Sequence, residues 1–445
     1  MGFYITLFYL VFLICSPAAL FPELARYRIQ WWIGGLALLG TLPVIPMYGY
    51  PFRNQQTILM ILFIGQIMLS RIMRGWFGGA LFALIEFGST AIVFFLLIGG
   101  QPSLKRLKRI ALFLVVPALY ACLRGILAVF TGWEKETYVL YQNVMENWVI
   151  LDVVERIRFL GYFNDPNDLA QYFLVCVPLI ALMWKKNAMV RNLVVVVPLI
   201  VYLLFGMYLS HSRGVLIGLV VLVLMYSAER FNRTLAMVGS AIVGVVLVGA
   251  NFAGGRAISF GQGSDRIEAW GAGLTMLRQN PLFGVGYNLF TEYNNLTAHN
   301  SFVLCFAELG LIGSFLWLGL LVSTLVELTK LIRRFEGAPA AVDLVRWAKA
   351  VRMALCGFVA TAWFLSRTYS ILLYVLIAMW VILEGVGRQL AAQGVVAPPA
   401  PRLVVNGSYT AAQGRRPWHW APTTIALQLL CIVVIYVMVR ARWSN

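Results

Sequence analysis

The chain has 445 residues, of which 61% are hydrophobic and 12% charged, whereas an ordinary soluble domain carries roughly a quarter charged. So few charges exclude a freely soluble globular protein, and the continuous apolar runs exclude a membrane β-barrel, whose strands alternate apolar and polar residues. The net charge of +17, from 35 Lys and Arg against 18 Asp and Glu, falls in short loops between apolar runs; this is the positive-inside pattern of a membrane protein, with membrane lipids and not nucleic acid as its partners.

A transmembrane helix needs roughly 20 mostly apolar residues, and such stretches predict an all-α integral membrane protein of about 12 transmembrane helices. They lie near 3–20, 31–48, 56–70, 77–98, 110–131, 169–184, 193–209, 214–227, 234–251, 303–328, 348–366 and 369–386; a further stretch, 423–440, either spans or lies along the interface. The first lacks a basic leader and reads as a signal anchor. Lys105–Arg109, Lys185–Arg191, Glu229–Arg233 and Lys330–Arg334 each follow an even-numbered span. They therefore share one side, which the positive-inside rule makes cytoplasmic. Glu23–Arg28, and Arg440 with Arg442 if the last stretch spans, run against that rule.

The organisation expected is N-terminal helices over 1–131, a periplasmic loop 132–168, central helices over 169–251, a second periplasmic loop 252–302, C-terminal helices over 303–386, and a tail 387–445. The tail holds a flexible cytoplasmic linker marked by Pro398, Pro399 and Pro401. All six Cys sit in or beside apolar spans, so no disulfide framework is expected. Glu86 and Arg124, on adjacent predicted spans, are expected to pair, because charges at membrane depth do so. In the second loop Asp265-Arg266-Ile267-Glu268 reads as a capping box. Ile267, Trp270, Leu274 and Leu277 then give one apolar helical face, and Asn280-Pro281 stops that helix before the turn Gly284-Val285-Gly286.

The sequence has three His. His419, between two Trp at the cytoplasmic interface, reads as structural. His211 lies in Ser210-His211-Ser212-Arg213-Gly214, at the outer end of one span and the start of the next. His299 stands where the second loop re-enters the membrane, and His299-Asn300 is followed after nine residues by Gly310-Leu311-Ile312-Gly313. This spacing resembles the His-Asn/Ser/Gln, nine residues, Gly-two residues-Gly pattern of the bacterial O-antigen ligases and O-antigen polymerases. Three more segments resemble that family in the same order: Gly161-Tyr162-Phe163-Asn164-Asp165-Pro166-Asn167, Ser212-Arg213-Gly214, and Asn280-Pro281-Leu282-Phe283-Gly284-Val285-Gly286.

The resemblance implies a GT-C-like membrane glycosyltransferase. Its donor would be a glycan on undecaprenyl pyrophosphate, presented in the periplasmic leaflet of the bacterial inner membrane. The acceptor would be a sugar hydroxyl of lipid A–core for a ligase, or another repeat unit for a polymerase. A protein O-oligosaccharyltransferase is a further reading, and a lipid-linked glycan flippase or transporter is one from another class. The residue chemistry is compatible with transfer. Arg binds phosphate bidentately and stays charged, and Arg213, Arg266, Arg158 and Arg256 all project to the external side. Arg213 and Arg266 are the expected pyrophosphate clamp; Arg158 and Arg256 are candidates for the same task or for anchoring lipid headgroups, and His211 is a further substrate-binding candidate. Neutral imidazole at His299 suits a general base, with Asn300 positioning base or acceptor or capping the helix. Gly310 and Gly313 are expected to permit close helix packing. Neither long loop carries an Asp/Glu-x-Asp cation motif, so a metal-independent reaction without a cofactor is expected. Asp165 and Asp168 read as turn and helix caps, or as hydrogen-bond partners of substrate.

Overall fold

Helices lie over all thirteen apolar stretches in the computed structural model, which describes residues 2–44, 54–146, 149–250, 252, 264–395 and 421–443. In chain order the main ones are α1 Gly2–Cys15, α2 Ile29–Thr41, α3 Gln55–Ile72, α4 Phe77–Ile98 and α5 Leu104–Thr131. After the first long loop come α6 Pro166–Ala181, α7 Val197–Ser210, α8 Arg213–Ala228 and α9 Arg233–Gly249. The amphipathic α10 Ser264–Gln279 precedes α11 Ser301–Phe335, α12 Val342–Ala362, α13 Ile371–Ala392 and α14 Pro422–Trp443. The protein is a mainly helical, multi-pass membrane protein. Among the described residues eight helices are long and apolar enough to cross a membrane. The others on the predicted spans are shorter or, like α12, carry Arg346, Lys349 and Arg352 on their first turns. The stretch expected either to span or to lie along the interface forms α14, which is among the eight and packs along α11 and α10.

The first long loop departs from an all-α fold. Val139–Glu146 (β1) and Val149–Ile157 (β2) form an antiparallel hairpin with Val139 opposite Ile157 and an irregularity at Val144/Met145. Val149, Ile150, Val153, Val154 and Ile157 supply the β-branched residues that suit a pleated strand. Buried Arg156 fastens the hairpin to the bundle: its guanidinium donates to the Ser210 carbonyl at 2.8 Å, Gln142 at 2.8 Å and Asn167 at 2.9 Å.

The expected Glu86–Arg124 pair does not form. Arg124 instead pairs with Glu134 and lies over the rings of Trp133 and Tyr138. Glu86 accepts a hydrogen bond from the Asn288 amide at 3.0 Å. The two helices follow one another in the chain but do not pack side by side, and a nearer carboxylate at the loop start takes the arginine.

The helix that follows His299 is broken in its third turn. Gly310 has φ 66° and ψ −165°, a combination open essentially to glycine alone. The backbone groups released there are met by the loop before His299. Val285 N–H donates to the Ala307 carbonyl at 2.8 Å and Gly286 N–H to Glu308 at 3.0 Å, while Leu311 N–H returns to the Pro281 carbonyl at 2.8 Å. Gln66, from α3, donates to the Leu309 carbonyl at 2.9 Å. The Asn280–Gly286 segment is therefore a plug seated in a helix break, which corrects the expectation that Gly310 serves only close helix packing. Main-chain groups at such a break must find partners, since orphaned ones are costly where water is absent.

Candidate active site

His299 is presented from a rigid frame. Its φ of 46° places it in the left-handed region, where a side chain with a Cβ is strained and persists only if its surroundings impose it. The surroundings here do so from both sides. Trp270 of α10 donates through its indole N–H to the Ala298 carbonyl at 2.9 Å. On the other side, Thr297 donates to Ser366 at 2.8 Å, the Arg367 N–H donates to the Ser301 hydroxyl at 2.8 Å, and Thr368 donates to the Ser301 carbonyl at 2.7 Å. Asn300 is fully buried and caps α11, its Oδ1 accepting from the Phe302 and Val303 N–H groups. Its Nδ2 is buried without a hydrogen-bond partner, so the cap leaves the amide nitrogen unused.

Two of the expected arginines come together at this histidine. Arg266, in the first turn of α10, lies within electrostatic reach of both His299 and Arg213, the first residue of α8. The Nε and Nη2 of Arg213 are buried without partners. Two neighbouring guanidinium groups, one with unfilled donors, are a poor arrangement for stability and a good one for a dianion. His211 caps the end of α7 at φ 48° with its ring edge-on to Tyr208. Arg158 stands elsewhere, donating to the carbonyls of Thr137 and Glu136 at the foot of the hairpin. Arg256, His419 and the side chain of Asp265 lie outside the described residues; α10 begins at Ser264, one residue ahead of the expected cap.

The electrostatics keep the imidazole neutral. Burial pushes the His299 pKa below its ordinary 6.5, the Arg266 charge pushes it further down, and Asp165 partly opposes both. A base lowered in this way loses its function only below pH 6.5. With three His in the chain, an NMR titration can follow His299 directly. We expect a midpoint below 6.5, raised by Arg266→Gln and lowered further by Asp165→Asn. A wild-type midpoint above 6.5, or shifts of the opposite signs, would count against this arrangement.

The sequence model of the O-antigen ligase family matches residues 198–318. Over that stretch the chain is similar to the O-antigen ligase family. No curated protein matches the chain. The matched stretch holds Arg213, Arg266, His299, Asn300 and the helix break at Gly310.

Further side chains complete these surroundings, some of them outside the matched stretch, and Arg367 and Glu308 were not anticipated from the sequence. Arg367, between α12 and α13, forms a two-pronged ion pair with buried Asp168 of α6. Asp168 was expected as a cap; Asp165 does cap α6, accepting from the Asn167 N–H at 2.7 Å. Glu308, two residues before the break, is buried and accepts from the Phe290 N–H at 3.1 Å and the Tyr369 hydroxyl at 2.7 Å. A lone carboxylate in the apolar run after His299 is a readable signal, whereas Arg367 and Asp168 are 199 positions apart and no local pattern links them. Among the described residues no three His, Cys, Asp or Glu side chains converge as a metal-binding set.

Proposed function

We propose that the protein is an O-antigen ligase that transfers a glycan from undecaprenyl pyrophosphate to a sugar hydroxyl of lipid A–core. The site would face the periplasm, with the protein in the bacterial inner membrane. The supporting observation is a clamped, neutral His299 within electrostatic reach of Arg266, which in turn neighbours Arg213 with its unpartnered guanidinium donors. The two arginines hold the pyrophosphate. The His299 imidazole removes the proton of the acceptor hydroxyl as its oxygen attacks the anomeric carbon. The bond from that carbon to the phosphate oxygen breaks, and its electron pair leaves with undecaprenyl pyrophosphate. One displacement from the opposite face inverts the anomeric centre. The arginines compensate the negative charge that grows on the leaving group, a contribution that usually dominates such sites, so the reaction runs without a metal or other cofactor.

Arg213→Ala and Arg266→Ala test the donor half of this reading. Each is expected to weaken binding of the lipid-linked glycan by about tenfold or more, as loss of a charge-assisted phosphate contact does. Inorganic pyrophosphate should compete with donor on the wild type and much less on the variants. Unchanged donor binding in both variants would remove the arginines from the site.

A further inference from the structure

Beside the turn that carries His299, where Thr297, Ser366 and Arg367 meet, the protein contains two cavities that share wall residues. The inner one, of about 220 Å³, is walled by Thr297, Ser366, Arg367, Tyr287 and Glu308. The outer, of about 380 Å³, lies between the end of α1, the start of α2 and the middle of α4. Glu86 and Tyr162 line both, so the two chambers share a waist.

Glu86 explains why the space is wet. It sits on the ninth residue after the start of α4, a helix apolar enough to span. A carboxylate at that depth faces a polar cavity or a partner, and here it has both: one oxygen accepts from Asn288, and the side chain stands in the cavity. Tyr162 is within electrostatic reach of Glu86 and Arg367, Arg367 of Asp165, and Asp165 of His299. The cavity walls thus connect the outer chamber, through Tyr162 and Arg367, to Thr297 two residues before the base. At its far end the wall changes character. Trp31, Phe82 and Ile85 line the outer chamber and are 41%, 52% and 42% exposed, so its rim meets lipid.

We infer that these chambers are the acceptor subsite, and that they receive the sugar head of a membrane-anchored glycolipid. This rests on the ligase reading above and specifies its second substrate. A sugar presents many hydroxyls that both donate and accept. The carboxylate of Glu86 takes their protons in hydrogen bonds, the guanidinium of Arg367 gives to their oxygens, and the Tyr162 ring supplies an apolar face. The lipid-facing rim lets the glycolipid enter while its acyl chains stay in the bilayer. Its terminal hydroxyl then reaches His299 past Thr297, which lines the inner chamber two residues before the base.

The test uses the full chain in detergent, lipid-linked glycan as donor and purified lipid A–core as acceptor. Glu86→Gln keeps the shape and removes the charge; Ser89→Leu narrows the outer chamber, which Ser89 lines. Each is expected to raise the acceptor KM about tenfold while the donor KM stays within about twofold, the split expected when only one substrate's binding is touched. An unmoved acceptor KM in both variants, or a donor KM that rises in step, overturns the inference. A photoreactive side chain at position 89 gives a second readout that needs no turnover. Capture of lipid A–core there supports the subsite even if transfer fails, in which case the ligase reading falls alone. No capture, or capture of a hydroxyl-bearing acceptor peptide in its place, overturns the glycolipid occupant.

Discussion

Replacing His299 by Ala lowers glycan transfer by about 10²–10⁴-fold, the range associated with losing a positioned general base, while donor binding stays near the wild-type value. The reason lies in the division of labour at the site. Arg213 and Arg266 are carried by α8 and α10, and neither depends on the imidazole for its place. His299 stands at φ 46°, a strain that any residue with a Cβ carries, so Ala there inherits it and does not relieve it. Asn tolerates the left-handed region better than most residues, which makes His299→Asn the informative companion. If the loss comes from the missing base, His299→Asn is as inactive as His299→Ala. If His299→Asn retains activity, the histidine holds the turn and does no proton transfer.

The largest effect on stability is expected at Gly310. A Cβ there would stand 2.5 Å from the carbonyl carbon and oxygen of Leu282 and 2.7 Å from the Gly284 nitrogen. All three are backbone atoms in a hydrogen-bonded plug and cannot swing aside. The strain of φ 66° adds to the clash, and together they cost about 3 kcal/mol or more. Gly310→Ala is thus expected to lower the thermal unfolding midpoint in detergent sharply and to reduce the yield of folded protein. Gly337 is the control: its φ is 86°, yet nothing lies within 4 Å of its would-be Cβ. Gly337→Ala carries only the conformational penalty of about 1 kcal/mol. Equal stability in the two variants would mean that the loop is not held in the helix break.

Much of this architecture follows from residue order. Apolar runs of membrane length become helices because the backbone has no other partner in lipid, and the Ile267–Leu277 stripe gives α10, with Leu274 and Leu277 buried and Trp270 bonded to the turn before His299. The spacing from His299 to Gly310 was legible as a motif, but its physical meaning was not. The motif joins an N-cap, a clamped left-handed residue and a helix break, and the break makes sense only with the Pro281–Gly286 segment seated in it. The hairpin was not anticipated, although its β-branched residues signal strands. The fate of Arg124 and Glu86 depended on which faces of α4 and α5 meet other elements, which periodicity alone does not fix. Arg158 shows the same limit: an arginine on the right side of the chain is spent on two carbonyls of its own loop.

The central claim is that this site moves a glycan from a lipid pyrophosphate to lipid A–core by histidine and arginine alone. The most direct measurement offers purified protein the lipid-linked glycan with lipid A–core, or with a second lipid-linked repeat, in separate reactions containing EDTA. The account predicts product on lipid A–core, undiminished by the chelator and absent with His299→Ala. Elongation of the lipid-linked repeat in its place, or loss of all transfer on chelation, would contradict it.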